Sequence, residues 1–234
     1  MLNRIAKLEQ QHLYLSNGSL FETTSTVIAI DRDACWFILE QNIFHPQGGG
    51  QPADKGNVDG LPVDVCKKEN LVLLTYKEPD NLLPQLGARV VAHVDPYMRK
   101  WHSALHTAGH LIDALMRQRG YIHLASNHFP HQARIEFQQN NPIEPDQLGK
   151  ELYQDIIICL QNKFPIITNM DNDGLRNITI YSIGSDLCGG THVQDLGEIS
   201  EILIKSIKIK KDRIRISYSA QHKDMHGAEV DFDS

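Results

Sequence analysis

From about Leu20 to Asp95 the apolar positions come in short runs, TSTVIAI, ACWFILE, LPVDVC, LVLLTY and ARVVAHV, separated by turn-formers such as Asp31-Arg32-Asp33 and Glu69-Asn70. Runs of this length, rich in β-branched residues, predict strands, and a succession of them predicts a small all-β domain. From Pro96 the rhythm changes. A long helical stretch comes first, and a second helix is predicted from about Asp146 to Lys163, with Leu148, Leu152, Ile156 and Leu160 in the four-residue spacing of a buried stripe. The pieces QARIEF, PIITNM, RNITIYS, SEILIKSIKI and DRIRISYS read as further strands. The pattern predicts an α+β fold, its second part carrying helices on a mostly antiparallel sheet. The boundary is expected near Asp95, giving domains 1–95 and 96–234.

Composition adds limits. A chain of 234 residues has room for one large or two small cores, and 41% hydrophobic with 22% charged residues is ordinary for a folded protein. No apolar run approaches the ~18 to 20 residues of a membrane span, and the N-terminus lacks the apolar segment of a signal peptide, so a soluble, cytoplasmic protein with no membrane partner is expected. The four cysteines, without a CxxC pair, suit thiols in a reducing compartment. A net charge of −6 removes the overall basic balance that would by itself advertise nucleic-acid binding, and no DNA partner is expected. Locally the sign reverses. Lys205, Lys208, Lys210, Lys211, Arg213 and Arg215 stand against Asp212 alone, on what alternation predicts to be a β-hairpin. This strip reads either as an RNA contact or as a solvated edge strand guarded by lysines. Asp171-Asn172-Asp173-Gly174 reads as a surface turn, because the further ligands of a calcium loop do not follow.

Within the first long helix lies HTAGH, with His106 and His110 four residues apart and so on one helical face. Alone, such a pair also arises by chance on amphipathic helices. A protease reading fails because Thr107 stands where HExxH has its glutamate base. Downstream, Cys188 and His192 flank Gly189-Gly190-Thr191, a turn-forming spacer that can bring a thiolate and an imidazole to one ion. His106, His110, Cys188 and His192 together make an N3S donor set acceptable to one tetrahedral zinc ion. Four protein ligands would make a closed structural site, whereas a catalytic site keeps a position for water.

These residues carry a resemblance. HTAGHLI followed by CGGTHV resembles the HxxxH and CxxxH zinc pattern of the editing domain of alanyl-tRNA synthetases and of their free-standing relatives, the AlaX proteins. VDPYMRKWHSALHTAGHLI resembles the approach to the first zinc motif, and EILIKSIKIKKDRIRISYS the closing strand pair. Upstream, IFHPQGGGQPADKG resembles the family's glycine-rich, GGQ-containing loop. The motifs cover nearly the whole chain and fit the medium-length AlaX type, with a small N-terminal β-barrel before the editing domain and without the further C-terminal extension of the longest members.

The resemblance implies an enzyme, a zinc-dependent hydrolase with one Zn2+ per chain and no use of ATP. It implies hydrolysis in trans of the ester in mischarged tRNA(Ala), chiefly seryl-tRNA with glycyl-tRNA a second target. The rival reading is a zinc-stabilised RNA-binding module without catalysis. A further implication is a hydroxyl-bearing residue shortly after the first zinc helix to read the serine side chain; counting along the chain gives Ser126, with Thr107 the alternative. Gly49, Gly50 and Gln51 of the glycine loop take a structural or substrate-adjacent role. No general base is assigned, and His102, His128 and His131 read as polar surface. Nothing in the pattern specifies an oligomeric state.

Overall fold

The computed structural model describes residues 8–78, 82–139, 144–170 and 175–225. Its chain divides into two compact units, one from Met1–Arg99 with Gly189–Thr191 and the other from Lys100–Cys188 with His192–Ser234. The turn expected at Asp171-Asn172-Asp173-Gly174 lies outside the described residues.

In the first unit, β1 (Gln11–His12) leads into a single helical turn, α1 (Leu13–Ser16), and pairs in parallel with β4 (Gln41–Asn42). Six further strands, β2 (Glu22–Asp31), β3 (Trp36–Leu39), β5 (Gly56–Val58), β6 (Leu61–Lys68), β7 (Leu71–Tyr76) and β8 (Arg89–Val94), pair in the order β2-β3-β7-β6-β5-β8. β8 then pairs back onto β2, so the hydrogen-bonded ring closes. Alternation drives the arrangement: along β6, Val63 and Val65 turn inward while Asp64 and Cys66 face solvent. Val27, Phe37, Leu39, Val58, Leu74 and Val90 join them in one core, each such side chain contributing about 1.5 to 3 kcal/mol on burial.

Helix α2 (Pro96–Gln118) starts where Asp95 Oδ1 accepts the backbone N–H groups of Tyr97 and Met98 at 2.9 and 3.1 Å, and proline occupies the first helical position, where no intrahelical N–H is needed. On its first turn Arg99 is buried and donates through Nε to Asp54 Oδ1 at 2.9 Å and through Nη2 to Asp54 Oδ2. The same guanidinium donates to the carbonyls of Gly18 and Ile43 at 2.8 and 2.7 Å. All three nitrogens of this buried cation therefore find acceptors, as burial of a charge demands.

The second unit is α+β. A four-stranded sheet runs β14 (Ile199–Lys210), β15 (Arg213–His222), β10 (Arg134–Gln138), β9 (Ile122–Asn127), and a three-stranded sheet runs β11 (Ile166–Met170), β12 (Arg176–Ile180), β13 (Gly184–Leu187), all neighbours antiparallel. Helix α3 (Pro145–Asn162) packs along β14. Its buried stripe is Leu148, Leu152, Ile156 and Cys159, so Cys159 replaces the expected Leu160 at the last position. The physical reason is the 3.6-residue turn: a strict four-residue spacing drifts off the face within about three turns. No disulfide joins the cysteines. Among the described residues no helix is long and apolar enough to cross a membrane.

Candidate metal centre

His106 and His110 project from one face of α2 with their rings stacked, centroids 5.1 Å apart. The other two donors follow the end of β13, where Cys188 is tied to Arg176 in both directions: its N–H donates to the Arg176 carbonyl at 3.0 Å and its carbonyl accepts from Arg176 Nη1 at 2.8 Å. Cys188 Sγ lies 3.5 Å from His106 Nε2 and 3.2 Å from His192 Nε2. The ligand atoms of all four residues fall within 4.8 Å of one another, a spacing that could hold a metal ion. With Zn–N near 2.05 Å and Zn–S near 2.3 Å, a tetrahedral ion sets its donors about 3.4 Å apart for two nitrogens and about 3.6 Å for nitrogen and sulfur. The two sulfur to nitrogen distances are of that size.

The surroundings test the fit independently. His110 Nδ1 lies 3.2 Å from Asp186 Oδ2, while its Nε2 is buried without a hydrogen-bond partner. A buried imidazole nitrogen left bare is costly, and an ion would satisfy it. A carboxylate behind a histidine is also the usual support of a metal ligand, fixing the tautomer that leaves Nε2 for the ion. Burial disfavours the charged form of His110, but the Asp186 hydrogen bond and Cys188 outweigh it and raise the metal-free imidazole to about 9. Burial likewise works against the Asp186 carboxylate, yet His110 and then Arg117 hold its pKa below the ordinary value. Arg117 Nη2 donates to Asp186 at 2.6 Å, its Nε meets Asp113 at 2.8 Å, and Asp113 receives His123 Nδ1 at 2.7 Å. Each carboxylate thus has a cationic neighbour.

Thr107 is fully buried, its hydroxyl 3.1 Å from His192 Nδ1 and accepting from the Val193 N–H at 3.3 Å. Ser126 is exposed on edge strand β9, where it pairs with Ile135. Gln51 is buried with both ends of its amide on Thr191: Nε2 donates to Oγ1 at 2.8 Å and Oε1 accepts the backbone N–H at 2.9 Å. Gly49 and Gly50 form the tight turn before it, both at positive φ (57° and 75°), which side chains rarely adopt.

The basic strip is the β14–β15 hairpin. Lys208, Arg215 and Glu136 lie in one cross-strand row, and Lys210, Arg213 and Gln138 in the next. Glu136 pairs with Arg215 at 2.7 Å and Arg213 at 3.6 Å, easing the repulsion of directly opposed cations. Lys205 bulges out between Ile204 and Ser206. All six cations are exposed, and a cavity of about 660 Å³ opens among Lys208, Lys210, Lys211, Arg213 and Arg215.

His102 and His128 depart from the sequence expectation: both are buried, whereas His131 is exposed. Burial pushes His128 down to about 3, with the charges of His110 and His123 adding to it. Asp186 escaped the sequence reading, although it stands two residues before Cys188, which in a strand places both on one face.

Residues 178–217 match the family described as the second additional domain of threonyl and alanyl tRNA synthetases. Over 217 residues the chain is 30% identical to the alanyl-tRNA editing protein AlaX-M of Pyrococcus horikoshii, covering 86% of this chain and 91% of that protein. It is 22% identical to AlaX-L of the same organism over 91% of this chain and 58% of the relative. The alanine–tRNA ligase of Methanoregula boonei is 28% identical over 85% of this chain, which spans only 24% of that longer protein.

Proposed function

Because the chain belongs to the family of AlaX-type alanyl-tRNA editing proteins, we propose that it deacylates mischarged tRNA(Ala) in trans, seryl-tRNA chiefly and glycyl-tRNA second. The observation that carries the reading is the convergence of His106, His110, Cys188 and His192, with a bare buried nitrogen on His110. These residues would hold one zinc ion per chain. Bound there, zinc supplies a Lewis acid that polarises a carbonyl and acidifies water.

The chain's own residues do the rest. Asp186 orients His110, and Thr107 orients His192 through its Nδ1, so we assign Thr107 to supporting a ligand rather than reading substrate. Ser126 remains the hydroxyl we propose to read the serine side chain. Its logic is asymmetric: a pocket shaped for alanine rejects serine poorly by size, at about 1 to 3 kcal/mol, whereas a pocket that hydrogen-bonds the serine hydroxyl is left with an unpaired polar group when alanine enters. Gln51, with Gly49 and Gly50 shaping its turn, braces Thr191. The exposed cations of the β14–β15 hairpin take the tRNA phosphates. We take 1–95, with its closed ring of strands, as the β-barrel domain and 96–234 as the editing domain of a cytoplasmic, ATP-independent enzyme.

One observation favours a second reading: four protein donors fill a tetrahedral shell, as in structural zinc sites. A zinc-stabilised RNA-binding module would bind tRNA(Ala) without cleaving the ester. Deacylation of seryl-, glycyl- and alanyl-tRNA(Ala) separates the two. The hydrolase reading expects loss of serine and glycine with alanine spared, abolished by Cys188→Ala, and Ser126→Ala erasing the preference for serine over alanine. Intact seryl-tRNA bound to the wild-type protein would leave only the binding module.

A further inference from the structure

His128 is 4% exposed and follows β9, and nothing in the proposed hydrolysis uses it. Its ring lies stacked on the candidate ligand His106, with centroids 4.5 Å apart and planes inclined by 22°. Its Nδ1 lies 2.6 Å from the Tyr218 hydroxyl, which in turn donates to the carbonyl of Leu105 at 3.1 Å. A phenol has one proton to give. With that proton on Leu105, the short bond must be donated by His128 Nδ1–H, which fixes the tautomer and the rotation of the ring. Leu105 is the residue before His106, so stack and tether both return to the same turn of α2.

The helix is notched to admit this pair. A Cβ on Gly109 would lie 2.4 Å from two atoms of the His128 ring and 2.6 Å from the Tyr218 hydroxyl. Glycine inside a helix costs about 1 kcal/mol relative to alanine, and here it is the residue that lets a second imidazole reach the ligand face. His128 is not among the four donors whose ligand atoms cluster.

We propose that His128 is a positioning residue of the metal centre: seated in the Gly109 notch and anchored by Tyr218, its ring holds the His106 imidazole with Nε2 aimed at the ion. The inference rests on the metal-centre reading but not on the identity of the substrate.

The test is made on the full chain with metal alone. Zinc affinity is measured against a chromophoric chelator, and the visible ligand-field bands are recorded after loading with cobalt(II). Tyr218→Phe keeps the packing and removes only the tether, His128→Phe keeps a ring without the bond, and His128→Asn keeps a donor without the ring. Each variant is expected to bind zinc on the order of tenfold more weakly and to shift the cobalt bands, with native circular dichroism. Wild-type zinc affinity and cobalt bands in folded Tyr218→Phe and His128→Phe proteins would overturn the proposal, as would failure of the wild-type chain to bind either metal. A wild-type protein that binds zinc but hydrolyses no seryl-tRNA overturns the deacylase reading alone.

Discussion

Replacing Arg99 with methionine removes the cation from a site where its residue is 1% exposed and its partner Asp54 carboxylate is wholly buried. Methionine keeps much of the volume and the helix propensity, so the perturbation is electrostatic rather than steric. What remains is a buried carboxylate with one donor, the His45 N–H at 2.5 Å, and two carbonyls, Gly18 and Ile43, stripped of theirs. Stranding one member of a buried ion pair costs about 3 to 5 kcal/mol, a large share of the roughly 5 to 15 kcal/mol by which folded domains are stable. Urea unfolding should therefore show a lower midpoint with an unchanged slope for Arg99→Met. The double variant Arg99→Met with Asp54→Leu removes both charges and should recover much of the loss. A loss below about 1 kcal/mol in the single variant, or a double variant less stable than the single, would show that the unpaired Asp54 charge does not govern the effect.

Asp186→Asn is expected to weaken zinc binding by about 10- to 100-fold at pH 9, measured by chelator competition. The penalty should shrink toward pH 7, because Asp186 also holds a proton on metal-free His110 up to about pH 9, and zinc must displace that proton in the wild type. Thiol labelling at pH 8 should modify exposed Cys35 and Cys66 quickly and Cys188 only after zinc is removed. Cys159 should react last, since burial and then Asp155 push its thiol up to about 11; equal labelling of Cys188 with and without zinc would contradict its role as a ligand. Lys208→Glu with Lys211→Glu should weaken tRNA binding and lower the salt slope by about one per lost phosphate contact, read from binding isotherms across a salt series.

Local periodicity makes much of the second unit legible in the sequence. The α3 stripe, the hairpin and the long first helix all follow from spacing, because burial on one face leaves a repeat in the chain. The polar strands escaped: β13, GSDL, has no apolar alternation to announce it, and IHLASN exposes most of β9. The four candidate ligands could be paired from sequence since each pair is local, four residues apart. Their supports could not. Asp186 meets His110 across 76 residues, and Tyr218 meets His128 across 90, contacts that leave no period to read. The burial of His128 is hidden from the sequence for the same reason, because the space its ring fills is left by a glycine in another element.

Whether this metal centre carries out editing is decided by following seryl-tRNA(Ala) and alanyl-tRNA(Ala) deacylation by chelated protein as zinc is added back. Hydrolysis of the seryl ester is expected to return in proportion to zinc and to saturate at one ion per chain, with the alanyl ester spared throughout. Full serine hydrolysis by zinc-free protein, or none at saturating zinc, would contradict it.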